Sequence, residues 1–213
     1  MSRRLQAVIF DMDGTLFDSM EPVTDAFIST ILEAGGRRFT PDEIVEAFTV
    51  GPSERMMEHL LGRQVTEAEH ASYHRRLNIG AAAMRPYPGM ETALTALADA
   101  GFRLGLFTGA DVRSLDLLLG RTGLRERFEV RTGGDETGRA KPDPAGLTLT
   151  CARLGVDPSA SAYVGDSEQD MLAAWAAGTL AVGAGWGSLW RETHLADVVV
   201  RRPVDLATVL TAS

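Results

Sequence analysis

Cysteine is almost missing from this 213-residue chain: Cys151 stands alone, so no internal disulfide can form. It lies in an Ala/Leu-rich helical stretch and is expected to be a small core residue. Long apolar runs are missing too. No stretch of about 18 apolar residues occurs, so no membrane-spanning helix is expected. Positive charge is short, with 21 Lys and Arg against 29 Asp and Glu and a net charge of −8. That balance disfavours nucleic acid or an anionic membrane as the main partner, while leaving room for a local basic pocket. There is no internal repeat and no low-complexity linker. The start, Met1-Ser2-Arg3-Arg4, runs into a short strand-like segment and not into a leader cleavage site, so a cytoplasmic location is expected. Hydrophobic residues at 45% and charged residues at 23% are those of an ordinary globular protein, and the length suits one or two domains.

What is present begins with Asp11-Met12-Asp13-Gly14-Thr15, directly after the apolar run Leu5–Phe10. The run reads as a buried strand ended by a glycine turn. Alternation along an extended segment sends Asp11 and Asp13 to the same side of the strand tip. Such a pair can hold a hard cation, or one acid can attack while the other moves protons. Two solvated loop acids would read the same way. Three more segments carry similar signals. In Leu106-Phe107-Thr108-Gly109 a strand ends in a hydroxyl and a glycine, whose O–H and N–H groups suit phosphate oxygens; a plain strand-to-helix turn with Asp111 at the cap is the alternative. In Lys141-Pro142-Asp143-Pro144 the prolines keep Lys141 extended just before a helix start, where an ammonium can neutralise a phosphoryl group, or simply be solvated. In Tyr163-Val164-Gly165-Asp166-Ser167-Glu168-Gln169-Asp170 a strand stops and a helix begins. Asp166 and Asp170, four apart, can face one way, or serve only as cap and first-turn acid.

Taken in order and spacing, DMDGTLFDS, LFTG, AKPDP and YVGDSEQD resemble the haloacid dehalogenase superfamily of phosphohydrolases, over essentially the whole chain. The hydrophobic periodicity supplies a matching layout. Helices are expected at 20–33, 41–47, 53–61 and 66–84, and strands at 103–107, 128–130, 162–164, 179–182 and 198–200. Alternation of strand and helix after residue 86 implies an α/β fold, a Rossmann-like parallel sheet. The expected division is a catalytic core, 1–17 and 86–213, with a small helical cap at 18–85 hinged at 17–20 and 85–89. The resemblance implies that Asp11 is a nucleophile forming an aspartyl-phosphate and that Asp13 is the proton donor and then base. It implies Mg²⁺ held by Asp11, the Asp13 backbone carbonyl and Asp166, with Asp170 holding a metal-bound water or Lys141. It also implies phosphoryl contacts from Thr108 and the Gly109 and Met12 amides, and charge balance from Lys141.

Departures narrow the choice among relatives. Dehalogenases and phosphonoacetaldehyde hydrolases lack the acid at Asp13. Sugar-phosphate mutases carry a histidine where this chain has Val23. The usual asparagine after Thr108 is replaced by Gly109, which puts local substrate contacts in question. Thr49-Val50-Gly51-Pro52-Ser53, Gly133-Gly134-Asp135 and Gly183-Ala184-Gly185-Trp186-Gly187 are most similar to phosphoglycolate phosphatases. The expected function is therefore hydrolysis of a small, phosphoglycolate-like phosphorylated metabolite. Sugar-phosphate, nucleotide or pyrophosphate phosphatase, sugar phosphomutase and a weakly active binding protein remain as alternatives. Arg55 is a candidate partner for a substrate carboxylate. Trp186 and Trp190 are candidates for the site wall or for core packing. His59, His70, His74 and His194 show no metal-ligand spacing and are assigned to surface or cap positions. Monomer and homodimer are both open.

Overall fold

The computed structural model describes residues 4–212; Met1, Ser2 and Arg3, part of the segment behind the location expected above, lie outside the described residues. Six strands form one parallel sheet: β1 (Ala7–Phe10), β2 (Arg103–Phe107), β3 (Val130–Thr132), β4 (Ser161–Gly165), β5 (Leu180–Ala184) and β6 (Val198–Val200). Their order is β3-β2-β1-β4-β5-β6. Between β1 and β2 run α1 (Met20–Glu33), α2 (Pro41–Glu46), α3 (Ser53–Leu61), α4 (Glu67–Gly80) and α5 (Met90–Asp99). α6 (Val112–Thr122), α7 (Ala145–Leu154), α8 (Glu168–Ala177) and α9 (Leu206–Thr211) follow. No helix among the described residues is long and apolar enough to cross a membrane.

The central strands are buried on both faces, which is why β1 reads AVIF with no polar alternation. Val8 and Phe10 point into one core with Leu106, Leu94 and Leu119. Ala7 and Ile9 point into the other, with Leu147, Cys151 and Met171 from α7 and α8. Cys151 is the small core residue expected. Helices therefore cover both sides of the sheet. β1 pairs with β2 on one flank and β4 on the other. Strand order reverses between β1 and β4, and in open parallel sheets the crevice at such a reversal takes ligands.

α1 matches the expected boundaries, and α3 and β6 do as well. Five segments differ; β4 and β5 run on to Gly165 and Ala184, past the expected 164 and 182. The strand expected at 128–130 is shifted to Val130–Thr132, because register with β2 begins at Gly105↔Val130 and Phe128 turns inward, edge-on to Phe10 at 6.2 Å. α2 and α4 stop earlier than expected and continue as short 3-10 turns, Ala47–Val50 and Ala81–Ala83. Threonine starts both helices. Thr40 and Thr66 accept from the backbone of Glu43 and Glu69, whose carboxylates reach back to the cap N–H groups. α1 packs along α4 around Phe27 and Tyr73, whose rings are 4.4 Å apart.

Candidate active site

β1, β2 and β4 end side by side, so the residues just past them share one space. Asp11, Asp13, Thr108, Gly109, Lys141, Asp166 and Asp170 all line a single cavity. Met12 is fully buried beneath it. The turn after β1 depends on Gly14, which has φ +78; a Cβ there would lie 2.3 Å from Asp166 Oδ2. Only glycine lets the two acidic loops approach so closely.

Lys141 ties the two sides of the crevice together. It is the only lysine in the sequence. Its ammonium donates to Asp11 Oδ1 at 2.5 Å, Asp170 Oδ1 at 2.6 Å and the Tyr163 hydroxyl at 3.0 Å, which uses all three of its protons. Asp170 is itself clamped. Its Oδ2 accepts from the Ser167 hydroxyl at 2.6 Å and the Ser167 N–H at 3.0 Å, closing the capping box of α8. Asp170 thus cushions Lys141. Although burial raises its carboxyl, attraction to Lys141 and the Lys141 and Ser167 bonds outweigh that and hold it below the usual range. Lys141 is pushed up: burial opposes its charge, but Asp11 and Asp170 outweigh it.

In the other acids burial outweighs such compensation. Burial pushes the Asp11 carboxyl well above its ordinary range; Lys141 opposes this, while Asp170, Asp13 and Asp166 reinforce it. Burial also raises Asp13, which accepts from Ser19 Oγ at 2.5 Å and Thr108 Oγ1 at 3.4 Å. Asp166 is raised to about 7, by burial first and then by Asp170. Its Oδ2 accepts from the Leu189 N–H at 2.8 Å. Its Oδ1 is buried with no hydrogen-bond partner.

One oxygen each of Asp11, Asp166 and Asp170 lie within 4.8 Å of one another. An orphaned buried carboxylate oxygen, and two acids raised by burial first and then by neighbouring carboxylates, suit a bound positive charge. With Asp170 committed to Lys141, the hard oxygens of Asp11 and Asp166 fit a small divalent cation such as Mg²⁺.

A second polar cluster joins α3 and α4 to the core. Asp111 caps α6 by accepting from the Ser114 N–H at 2.8 Å. It also accepts from Ser53 Oγ and contacts His74 Nε2 at 3.0 Å. Ser53 Oγ in turn meets His70 Nε2 at 2.8 Å. Burial raises Asp111, but the His74, Ser53 and Ser114 bonds hold it well below the usual carboxylate range. From sequence Asp111 is legible as a helix cap only; the signal for the rest is His70 and His74 four apart on α4, one turn along the same face. His194 was also missed, since it lines the cavity from the loop before β6.

Arg55 is not brought into the cavity. It is exposed, and its guanidinium donates to the Gly138 carbonyl at 2.8 Å. Val23 does line the cavity, at the position where a mutase would carry histidine. Neither tryptophan is a wall residue: Trp186 donates to the Thr15 carbonyl at 2.9 Å, and Trp190 packs into the core around Ile9 and Phe107.

Residues 5–178 match a family model described as haloacid dehalogenase-like hydrolase. The chain is 32% identical over 216 residues to the N-acetylmuramic acid 6-phosphate phosphatase of Pseudomonas aeruginosa, covering 97% of this chain and 95% of that one. It is 29% identical to the phosphoglycolate phosphatase of Aquifex aeolicus, covering 97% of each. Among solved structures, CbbY from Rhodobacter sphaeroides in complex with phosphate superposes with a TM-score of 0.83 at 24% identity, over 95% of this chain and 96% of that one, a likeness of fold.

Proposed function

The chain belongs to the haloacid dehalogenase-like hydrolases, and on that premise we propose that it is a Mg²⁺-dependent phosphatase of a small phosphorylated metabolite working through an aspartyl-phosphate. The observation that carries this reading is the convergence of Asp11, Asp13, Thr108, Lys141 and Asp166 on one cavity at the carboxyl ends of β1, β2 and β4.

Asp11 attacks phosphorus. An Asp11 oxygen–phosphorus bond forms as the ester P–O bond breaks. The departing alkoxide takes its proton from Asp13, whose carboxyl burial holds above its usual range. Thr108 Oγ1 and the Gly109 amide hold phosphoryl oxygens, and Lys141 balances the charge gathered there. Asp13, now ionised, takes a proton from water. The water oxygen bonds phosphorus, the acyl-phosphate bond breaks, and Asp11 and phosphate are restored. A bound Mg²⁺, held by Asp11, Asp166 and the Asp13 backbone carbonyl, would neutralise the phosphoryl oxygens and the crowded carboxylates. The helical segment 18–85 acts as a cap, with hinges at 17–20 and 85–89, that closes over the substrate and sets its choice.

The test is phosphate release from p-nitrophenyl phosphate by the purified chain. Turnover should need Mg²⁺, vanish after chelation and return on readdition. Calcium should inhibit, because its longer bonds and higher coordination number displace the attacking carboxylate. Full activity after exhaustive metal stripping would contradict the metal assignment.

A further inference from the structure

The cavity is small, about 300 Å³, at the lower end for ligand pockets. Beyond the phosphoryl end its wall comes from the helical segment and α6: Val23, Phe27, Phe48, Met56, Leu77 and Leu118. The polar groups around Asp111 on that wall are already paired with one another. Ser53 and Ser114 both donate to Asp111 Oδ2, and the other Asp111 oxygen faces His74 and the Ser114 N–H.

Cations are lacking there. Among the described residues no arginine lines the cavity, and the lysine that does, Lys141, has its protons committed to Asp11, Asp170 and Tyr163. Arg55, the sequence candidate for a substrate carboxylate, bonds Gly138 instead. His194 has Nδ1 turned to the Arg191 N–H at 3.3 Å, which leaves its Nε2 edge alone for a ligand. The charged group at the far wall is the Asp111 carboxylate. A substrate carboxylate placed there would lose water, gain no cation and face a like charge. An alkyl group would instead leave water for apolar side chains and the Phe27–Tyr73 ring pair.

We propose that the alcohol carried by the substrate's phosphate is small, uncharged and mainly apolar, and that this chamber discriminates against carboxylated phosphates such as phosphoglycolate. The proposal rests on the phosphatase reading above and names the substrate class of that site.

The experiment compares kcat/KM of the full chain with Mg²⁺ on 3-methylbutyl phosphate, phosphoglycolate and glucose 6-phosphate, with p-nitrophenyl phosphate as a common reference. 3-Methylbutyl phosphate should lead phosphoglycolate by at least about tenfold, the scale on which pockets separate small substituents. Phosphoglycolate or glucose 6-phosphate equal to or better than the alkyl ester, with p-nitrophenyl phosphate hydrolysed, overturns the substrate class and leaves the phosphatase reading standing. No hydrolysis of any ester overturns that reading, and this one with it. Phe48→Arg, or Val45→Arg should the first fail to fold, sets a guanidinium at a half-buried wall position. It should shift the ratio toward phosphoglycolate by about tenfold; an unchanged ratio in a folded variant counts against the proposal.

Discussion

The two ends of the cavity are built on opposite principles. The sheet end crowds ionisable groups: Asp11, Asp13, Asp166 and Asp170 around one ammonium, on strand tips held by the parallel ladder. The helical end is apolar, and its one charged cluster, around Asp111, is satisfied within itself. Burying carboxylates is costly, and with Asp166 Oδ1 left without a partner the sheet end suits an added cation. The helical end needs nothing added. Under the proposed function, chemistry belongs to the first and selection to the second.

The sharpest way to break this contrast is Asp11→Asn. The amide keeps the shape but is a poor nucleophile and a weaker ligand, so turnover should fall by ~10⁴-fold or more while the protein stays folded. Near-parental hydrolysis by a sequence-verified variant, free of deamidation, would sink the mechanism. Asp13→Asn comes next, at ~10²–10⁴-fold. The phosphoryl-transfer step should slow more for alkyl esters, whose leaving groups are strongly basic, than for p-nitrophenyl phosphate. Rapid-quench measurements separate the steps, and equal, parental transfer rates for both would remove Asp13 as the acid.

A third comparison is thermodynamic. A free aspartate ionises near 3.8, but Asp166 in the fold holds its proton to about 7. Between those values the unfolded chain binds fewer protons than the native one, so stability without metal should fall as pH rises. The loss from Asp166 amounts to ~4 kcal/mol at most. Asp11 and Asp13 act in the same sense. Asp111 and Asp170 act oppositely, and the stability they add is lost only below about pH 4. Mg²⁺ should therefore raise the melting temperature far more at pH 8 than at pH 5; a shift independent of pH would contradict the account of Asp166. The smallest effect is expected from Arg55→Ala, which removes an exposed hydrogen bond to Gly138. Stability should change by less than ~1.5 kcal/mol, and KM for phosphoglycolate and p-nitrophenyl phosphate should move together. A selective rise for phosphoglycolate would bring Arg55 back to the substrate.

Much of the sheet end was readable from the chain. Apolar runs stopped by Gly14, Gly109 and Gly165 place acids and hydroxyls at strand tips, and a fold that brings those tips together needs no further instruction. α1 kept its expected bounds because its apolar spacing and the glycines after it are local signals. β3 moved by two residues because its position depends on pairing with β2 and on where Phe128 packs, neither of which is local.

By itself, then, the sequence determined the class of fold, the acids at the strand ends and the lone lysine beside them. Only the tertiary structure decided that Lys141 pairs with both Asp11 and Asp170, which oxygen of Asp166 is left without a partner, that Arg55 turns to Gly138, and that Asp111 joins α6 to α3 and α4. Turn chemistry and periodicity act within a few residues and leave a local trace. These pairings join segments from 29 to 130 residues apart, and depend on how helices pack over a sheet, which no short stretch of sequence records.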